Sequence, residues 1–581
     1  MLDLIVRGGT VVDGTGAAPV TADVGVQGDR VVSVGRLTGA ARREIDADGA
    51  LVTPGFVDIH THFDGQATWD SLLAPSCWHG VTTVAMGNCG VGFAPARPDR
   101  HDWLIGLLEG VEDIPGTALA EGLPWGWESF GEYLDVLSSR PRTLDVGAHV
   151  PHAAVRTYVM GERGGDPAEV ATAEELAAMA ELVGRAIDAG AIGFATSRTE
   201  LHRTKAGAFL GTLRAGREEL AAIASALGKR NRGVVQLISD CYQSTDPEFV
   251  RSELDTIRTI AAVSRRPLSF TVQQPYALPE RWREMLDQIA GWRQAGLDVR
   301  AQVAPRPIGL LLGLEATANP FALCGSYQEV ALLPTAERAV RLAAPERRRS
   351  VLAEHAELLA QIPAESLLRL IVGGADMMFR LEDPVNYDFR RDRSVAAGAA
   401  AKGEDAFSAV YDALLEMEGR RLLYMPLFNF ANGDLTAVKE MITSDVSLFG
   451  LSDAGAHCGA ICDASMTTSY LTLWARDRGD GLPVETVVRN ITSATARHVG
   501  WRDRGVLAPG YLADINVIDL DGLACAPPRM VHDLPAGGRR LVQAARGYRW
   551  TIKSGVPTFS SGVHTGDLPG ALVRGETAAP G

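Results

Sequence analysis

Over the first fifty residues, apolar and polar positions alternate in short runs broken by glycine turns. The runs are Leu4–Arg7, Thr10–Val12, Ala22–Val26, Arg30–Gly35 and Arg43–Asp46. A period of two is that of half-buried strands, and Asp13-Gly14 and Gly28-Asp29 supply turn chemistry. From Pro54 the pattern changes. Eight candidate strands of mainly apolar character now stand apart from one another, several separated by segments of helical period: Gly55–His62, Val81–Met86, Leu144–Val150, Ala191–Ser197, Gly233–Ser239, Pro267–Gln273, Leu297–Ala304 and Val446–Ser452. Ala173–Ala189 and Arg217–Lys229 are the clearest helices between them. Apolar strands alternating with helices predict a parallel sheet. Eight of them predict a TIM-type (β/α)8 barrel, with its chemistry at the C-terminal strand ends.

The gap between the seventh and eighth runs is long. Pro334–Leu342, Pro345–Gln361 and Glu404–Glu418 read as helices, which predicts a helical cap inserted at about 310–440. After the barrel, Gly505–Ile518 and Tyr548–Val556 return to strand and turn pattern. The expected division is therefore a barrel over 54–505 and a small β-sandwich domain built from both chain ends, 1–53 and 506–558. The tail, 559–581, is rich in Gly, Pro, Thr and Ala, a composition expected to be loosely ordered.

Composition then narrows the classes. At 581 residues the chain can bury a large core, yet it contains no apolar run of about 18 residues able to span a membrane. A net charge of −15 argues against a general nucleic-acid binder, leaving a small-molecule substrate as the expected partner. A homo-oligomer is compatible with the sequence. Seven cysteines without a tight framework fit a reducing compartment. The N-terminus lacks a basic segment followed by a long apolar one, so a cytoplasmic location is expected.

The first barrel run ends in His60-Thr61-His62. Alternate residues on a strand share a side, so two imidazoles can face one metal ion at about 2 Å. Asp58 lies in the same phase. The second run ends in Gly87-Asn88-Cys89-Gly90, a thiol between glycines, and the eighth in Ser452-Asp453-Ala454-Gly455-Ala456-His457. His149 and His152 stand at the end of the third run, and His202 follows the fourth. Arg156, Arg198 and Arg306 all follow barrel strands, where a guanidinium can fork onto a substrate carboxylate. His79 precedes the second run and reads as structural.

Together these residues carry a resemblance. The chain resembles the amidohydrolase superfamily and, within it, the D-aminoacylase (N-acyl-D-amino-acid deacylase) family. The matching stretches are Gly8–Gly14, Pro54–His62, Gly80–Val84 through Gly87–Gly90, Gly190–Phe194, Ser452-Asp453 and Gly510–Asp514. They cover most of 1–300 and 445–555. The resemblance implies that His60 and His62 are metal ligands, that Cys89 is the family's cysteine ligand, and that Asp453 is a general base and ligand. It also implies histidines on the fifth and sixth strands, but these positions carry Gln236 and Gln273. The fourth strand lacks the lysine that bridges two metals in other branches.

One ion, Zn²⁺ by its mixed N/S/O donors with other divalent metals open, is the expected cofactor. The expected reaction is hydrolysis of an N-acyl amino acid, with Asp453 as base and His457 or His152 stabilising the oxyanion. Arg156, Arg198, Arg306 and His202 are the expected substrate contacts. Two other readings stay open at this stage. One is a hydrolase of a cyclic amide, a lactone or another C–N bond on the same fold; the other is a catalytically silent binding relative.

Overall fold

The computed structural model describes residues 1–363 and 366–581. Five strands come first: β1 (Leu2–Val11), β2 (Val20–Gln27), β3 (Arg30–Gly35), β4 (Ala41–Asp46) and β5 (Leu51–Pro54). Seven barrel strands follow: β6 (Phe56–Asp58), β7 (Val81–Met86), β8 (Asp145–Pro151), β9 (Gly193–Arg198), β10 (Val234–Ser239), β11 (Leu268–Thr271) and β12 (Val299–Val303). An insertion carries β13 (Ile308–Leu312), β14 (Phe379–Arg380) and β15 (Leu423–Phe428), after which β16 (Ser447–Phe449) completes the barrel set.

The eight barrel strands lie in chain order, each parallel to the next. β7 to β11 are buried at every residue, which is why these segments carry apolar or small residues on both faces. The two ends of the sheet meet just beyond β6 and β16. There, Asp453 N donates to His60 O at 3.2 Å and His62 N to Ala454 O at 2.8 Å.

The C-terminal strands are β17 (Ile515–Ile518), β18 (Ala524–Cys525), β19 (Arg529–Leu534), β20 (Gly538–Val542), β21 (Ala545–Arg546), β22 (Tyr548–Lys553), β23 (Val556–Ser560) and β24 (Val563–His564). β17 pairs antiparallel with β5, so strands from both chain ends share one nine-stranded sheet; β18 with β21 and β19 with β20 form separate ribbons. Leu4, Val24, Ile45, Val52, Ile515 and Ile552 pack into one apolar cluster on it. Lys553, fully buried, ties this sheet to the barrel by pairing with Asp514 at 2.9 Å and with Asp145 of β8 at 3.0 Å.

Two expectations are corrected. The insertion is not purely helical, because β13, β15 and β14 form a three-stranded antiparallel sheet. The apolar runs that build it, Ile308–Leu312 and Leu423–Phe428, lie over a hundred residues apart in the chain, so neither half reveals its partner. The tail is not loose either. Val146 N donates to Ala571 O at 3.0 Å, Val573 N to Val146 O at 2.7 Å, and Glu576 pairs with Arg266. Backbone hydrogen bonds to the N-terminal end of a barrel strand hold a segment whose composition alone offers no core.

Candidate metal centre

The extended chain beyond β6 presents two imidazoles in matching fashion. His60 Nδ1 lies 2.6 Å from Gln302 Oε1, and Gln302 in turn donates its amide to Ser269 at 2.9 Å. The amide oxygen only accepts, so His60 carries its proton on Nδ1 and keeps a lone pair on Nε2. His62 Nδ1 lies 3.2 Å from Glu112 Oε1, again leaving Nε2 free of that partner. Asp58, although in the same phase, takes no part: its carboxylate accepts from His60 N at 3.1 Å and from Ser452 Oγ, pinning β6 to the loop after β16.

Cys89 reaches the same point from β7. Gly87 and Gly90 flank it in left-handed conformation, with φ of 80° and 69°. A Cβ on Gly90 would come within 2.6 Å of the Thr196 backbone, so the glycines let this loop press against β9. Cys89 itself has φ 55°, and its N–H donates to Gln236 Oε1 at 2.8 Å. Its sulfur lies 3.3 Å from His60 Nε2. Asp453, at φ 47°, brings Oδ1 to 3.2 Å from His60 Nε2 and 3.7 Å from His62 Nε2. Left-handed non-glycine residues store about 1–3 kcal/mol each and persist where the surroundings over-determine them.

These separations match a coordination shell. Ligand bonds of about 2.0–2.3 Å put tetrahedral donors roughly 3.3–3.8 Å apart, and the donor atoms of His60, His62 and Cys89 all lie within 4.8 Å of one another. The electrostatics agree. Burial lowers His60 and pushes the Cys89 thiol up to about 11. Burial also opposes the charge on Asp453, yet His60 and His62 hold its carboxyl well below the usual range. For His62, burial is outweighed by Glu112 and Asp453, which raise it well above its ordinary value. Two imidazoles, a thiol and a carboxylate are thus crowded together, and a divalent cation, which would displace the protons on His62 and Cys89, fits that donor set.

The centre opens on a cavity of about 980 Å³ lined by His60, His62, Cys89, Asp453 and His457. The insertion supplies an apolar wall, with Ile308 and Leu310 from β13, Leu427 and Phe428 from β15, and Leu370. His202 also lines it, its Nδ1 2.8 Å from Ser197 Oγ, and burial lowers its pKa to about 3. Gln273 lines it with its Oε1 unpartnered.

Four expected residues are placed elsewhere. His152 is fully buried between Thr196 Oγ1 at 2.8 Å and Glu219 Oε1 at 2.9 Å. Arg156 pairs with the same Glu219 at 3.3 Å, Arg198 forks onto Glu253, and Arg306 pairs with Asp463 at 2.8 Å and stacks on Tyr387. None of these four lines the cavity. A strand-end arginine covered by neighbouring helices must find a carboxylate, because an unpaired buried charge is prohibitive. His79 is held by Thr468 Oγ1 and Gln543 O on both ring nitrogens.

Three residues went unread in the sequence: Gln302, Arg369 and Glu112. Among the described residues, Arg369 is the one arginine lining the cavity, its Nη1 donating to Leu359 O and to Ile362 O at 3.2 Å, and no lysine lines it. Glu112 ends helix α1 (His101–Glu112) and is followed by Asp113. Two acids at a helix C-terminus oppose the helix dipole, which was the one signal available.

The family model described as Amidohydrolase family matches residues 43–559. An N-acyl-D-glutamate deacylase of Alcaligenes xylosoxydans xylosoxydans is 28% identical over 594 aligned residues, covering 100% of this chain and 98% of that protein. A D-aminoacylase of the same organism is 37% identical over 195 residues, 33% of this chain and 37% of the length of that relative. Among solved structures, a D-aminoacylase described as having a binuclear metal center superposes with a TM-score of 0.65 at 24% identity, covering 99% of this chain and 100% of that one. An N-acyl-D-glutamate deacylase from Bordetella bronchiseptica, complexed with zinc and a phosphonate inhibitor, gives 0.62 at 23% identity, with 99% of each chain covered. At these identities the structural likeness speaks for the fold.

Proposed function

The chain belongs to the amidohydrolase family, and from that premise we propose that it hydrolyses the amide bond of an N-acyl amino acid at a centre holding one divalent ion. His60, His62, Cys89 and Asp453 would hold the ion. The observation that carries this reading is the convergence of those four groups on the wall of a large, mainly apolar cavity. Zinc suits the mixed nitrogen, sulfur and oxygen donors. Gln236 and Gln273 favour a single ion, since a neutral amide oxygen is a poor zinc donor beside imidazole or thiolate.

When bound, the ion supplies Lewis acidity toward water and toward the scissile carbonyl. The protein does the rest. Asp453, kept ionised by His60 and His62, accepts the proton of the attacking water and passes it to the leaving nitrogen. His457 lines the same cavity and donates from its ring to the developing oxyanion. The apolar wall from β13 and β15 excludes water and receives the hydrocarbon part of the substrate.

The charge inventory narrows the substrate. One guanidinium, that of Arg369, borders the cavity among the described residues, which suits a single carboxylate. A glutamyl substrate would leave its second carboxylate without a cationic partner. The reading is therefore an N-acyl amino acid with an uncharged, apolar side chain. The names of its relatives favour the D configuration.

Elemental analysis of purified protein and a substrate panel test this together. The panel holds N-acetyl and N-decanoyl D- and L-leucine, N-acetyl-D-glutamate and a hydantoin. One zinc per chain with release of free leucine supports the proposal. A metal-free, inactive protein overturns it, and opening of the hydantoin alone transfers the activity to cyclic amides.

A further inference from the structure

Glu112 is a carboxylate with almost no exposure, at 1%. It ends α1, outside the barrel strands from which the other site residues come. Its ion-pair partners among the described residues are both imidazoles of the site: His62 Nδ1 at 3.2 Å from Oε1 and His457 Nε2 at 3.8 Å from Oε2. Among the described residues no arginine or lysine pairs with it. A buried carboxylate is costly to desolvate, so its place beside two imidazoles needs a reason.

A purely structural role does not supply one. The end of α1 is fastened to the loop after Asp453 by other atoms: the backbone oxygen of Glu112 accepts from His457 N, and Asp113 Oδ2 accepts from Gly459 N at 3.0 Å and Thr317 Oγ1 at 2.8 Å. The Glu112 carboxylate is not needed for that attachment. What it does is match, on His62, the work of Gln302 on His60. Gln302 Oε1 accepts from Nδ1 of His60, while Glu112 Oε1 stands 3.2 Å from Nδ1 of His62 as an ion pair, and in both rings Nε2 faces the point shared with Asp453. Histidine ligands regularly need such an acceptor to fix ring orientation and tautomer.

We propose that Glu112 is a positioning residue of the metal centre, orienting His62 through Nδ1 and contributing a negative charge that strengthens retention of the ion. The inference rests on the proposed metal centre and adds a residue that no strand-end pattern marks. The charge distinguishes it from Gln302: with neutral glutamines on the fifth and sixth strands, Glu112 is a further anion bordering the cation.

The test uses wild type, Glu112→Gln and Glu112→Ala, each stripped of metal and then titrated with Zn²⁺ against a competing chelator. Co²⁺ absorption spectra and melting of the metal-free proteins are recorded alongside. Glu112→Ala is expected to weaken Zn²⁺ binding about 10- to 100-fold and to change the Co²⁺ spectrum. Glu112→Gln, which keeps an oxygen beside Nδ1 but removes the charge, is expected to keep the wild-type spectrum and lose less affinity. Wild-type affinity and spectrum in Glu112→Ala would overturn the inference while leaving the metal centre standing. So would melting losses in both metal-free variants that account for the whole change in affinity. A wild-type protein that binds neither ion overturns the inference together with the proposed function.

Discussion

The sulfur of Cys89 lies 3.3 Å from Nε2 of His60, a contact made across 29 residues of chain by a thiol whose backbone is held in a left-handed turn. Burial keeps that thiol protonated up to about 11, so binding an ion there must displace a proton. Apparent Zn²⁺ affinity is therefore expected to rise with pH between 6 and 8, and Cys89→Ala is expected to flatten that rise and retain less zinc through dialysis. Equal retention and an equal pH slope in the variant, read by elemental analysis and chelator competition, would remove Cys89 from the shell.

Asp453→Asn removes the general base and an anionic ligand together, so zinc content is measured beside turnover to separate the two roles. Asparagine tolerates the left-handed conformation that this position adopts, so the loop is expected to survive the exchange. Loss of a general base lowers turnover by about 10²- to 10⁴-fold. The check is turnover on N-acyl-leucine beside circular dichroism of the same preparation. Turnover within threefold of wild type would assign the base elsewhere.

Two arginines are expected to separate stability from binding. Arg198→Ala strands the buried carboxylate of Glu253, to which it now forks, and is expected to destabilise the protein by about 3–5 kcal/mol with little change in KM of the surviving enzyme. Arg369→Ala, at the cavity, is expected to raise KM about tenfold, the loss of one charge-assisted hydrogen bond, without lowering the melting temperature comparably. Melting curves and Michaelis profiles of the two variants decide it; the opposite pattern would show the assignments reversed.

Acid sensitivity follows from His79. Burial holds its imidazole at about 4 against an ordinary 6.5, and the neutral ring bonds to Thr468 and Gln543. With the folded value below the unfolded one, the unfolded chain takes up the proton first as pH falls. The contribution is full above 6.5 and lost between 6.5 and about 4, amounting to roughly 3 kcal/mol. His79→Gln should lower the melting temperature at pH 7, and the gap to wild type should narrow steadily toward pH 4.5. A gap that stays constant over that range would refute the assignment.

Much of this protein is written locally in its chain. The change from alternating to mainly apolar runs at Pro54 marks where an open sheet gives way to barrel strands, because strand burial on one face or two is a property of a few neighbouring residues. The helices Ala173–Ala189 and Pro345–Gln361 stand where the sequence puts them. His60, His62, Cys89 and Asp453 could be singled out because a strand end fixes where a side chain points, whatever lies opposite.

What lies opposite was decided by the tertiary structure alone. His60 meets Gln302 across 242 residues, and no local pattern connects them. Arg156, Arg198 and Arg306 occupy the same kind of strand-end position as Asp453, yet each is claimed by a carboxylate from a distant segment. Glu112 enters the site from a helix whose sequence gives no phase relative to the barrel. Side-chain chemistry and periodicity are short-range properties of a chain, whereas the partner of a buried charge is whichever group the completed packing brings within about 3 Å.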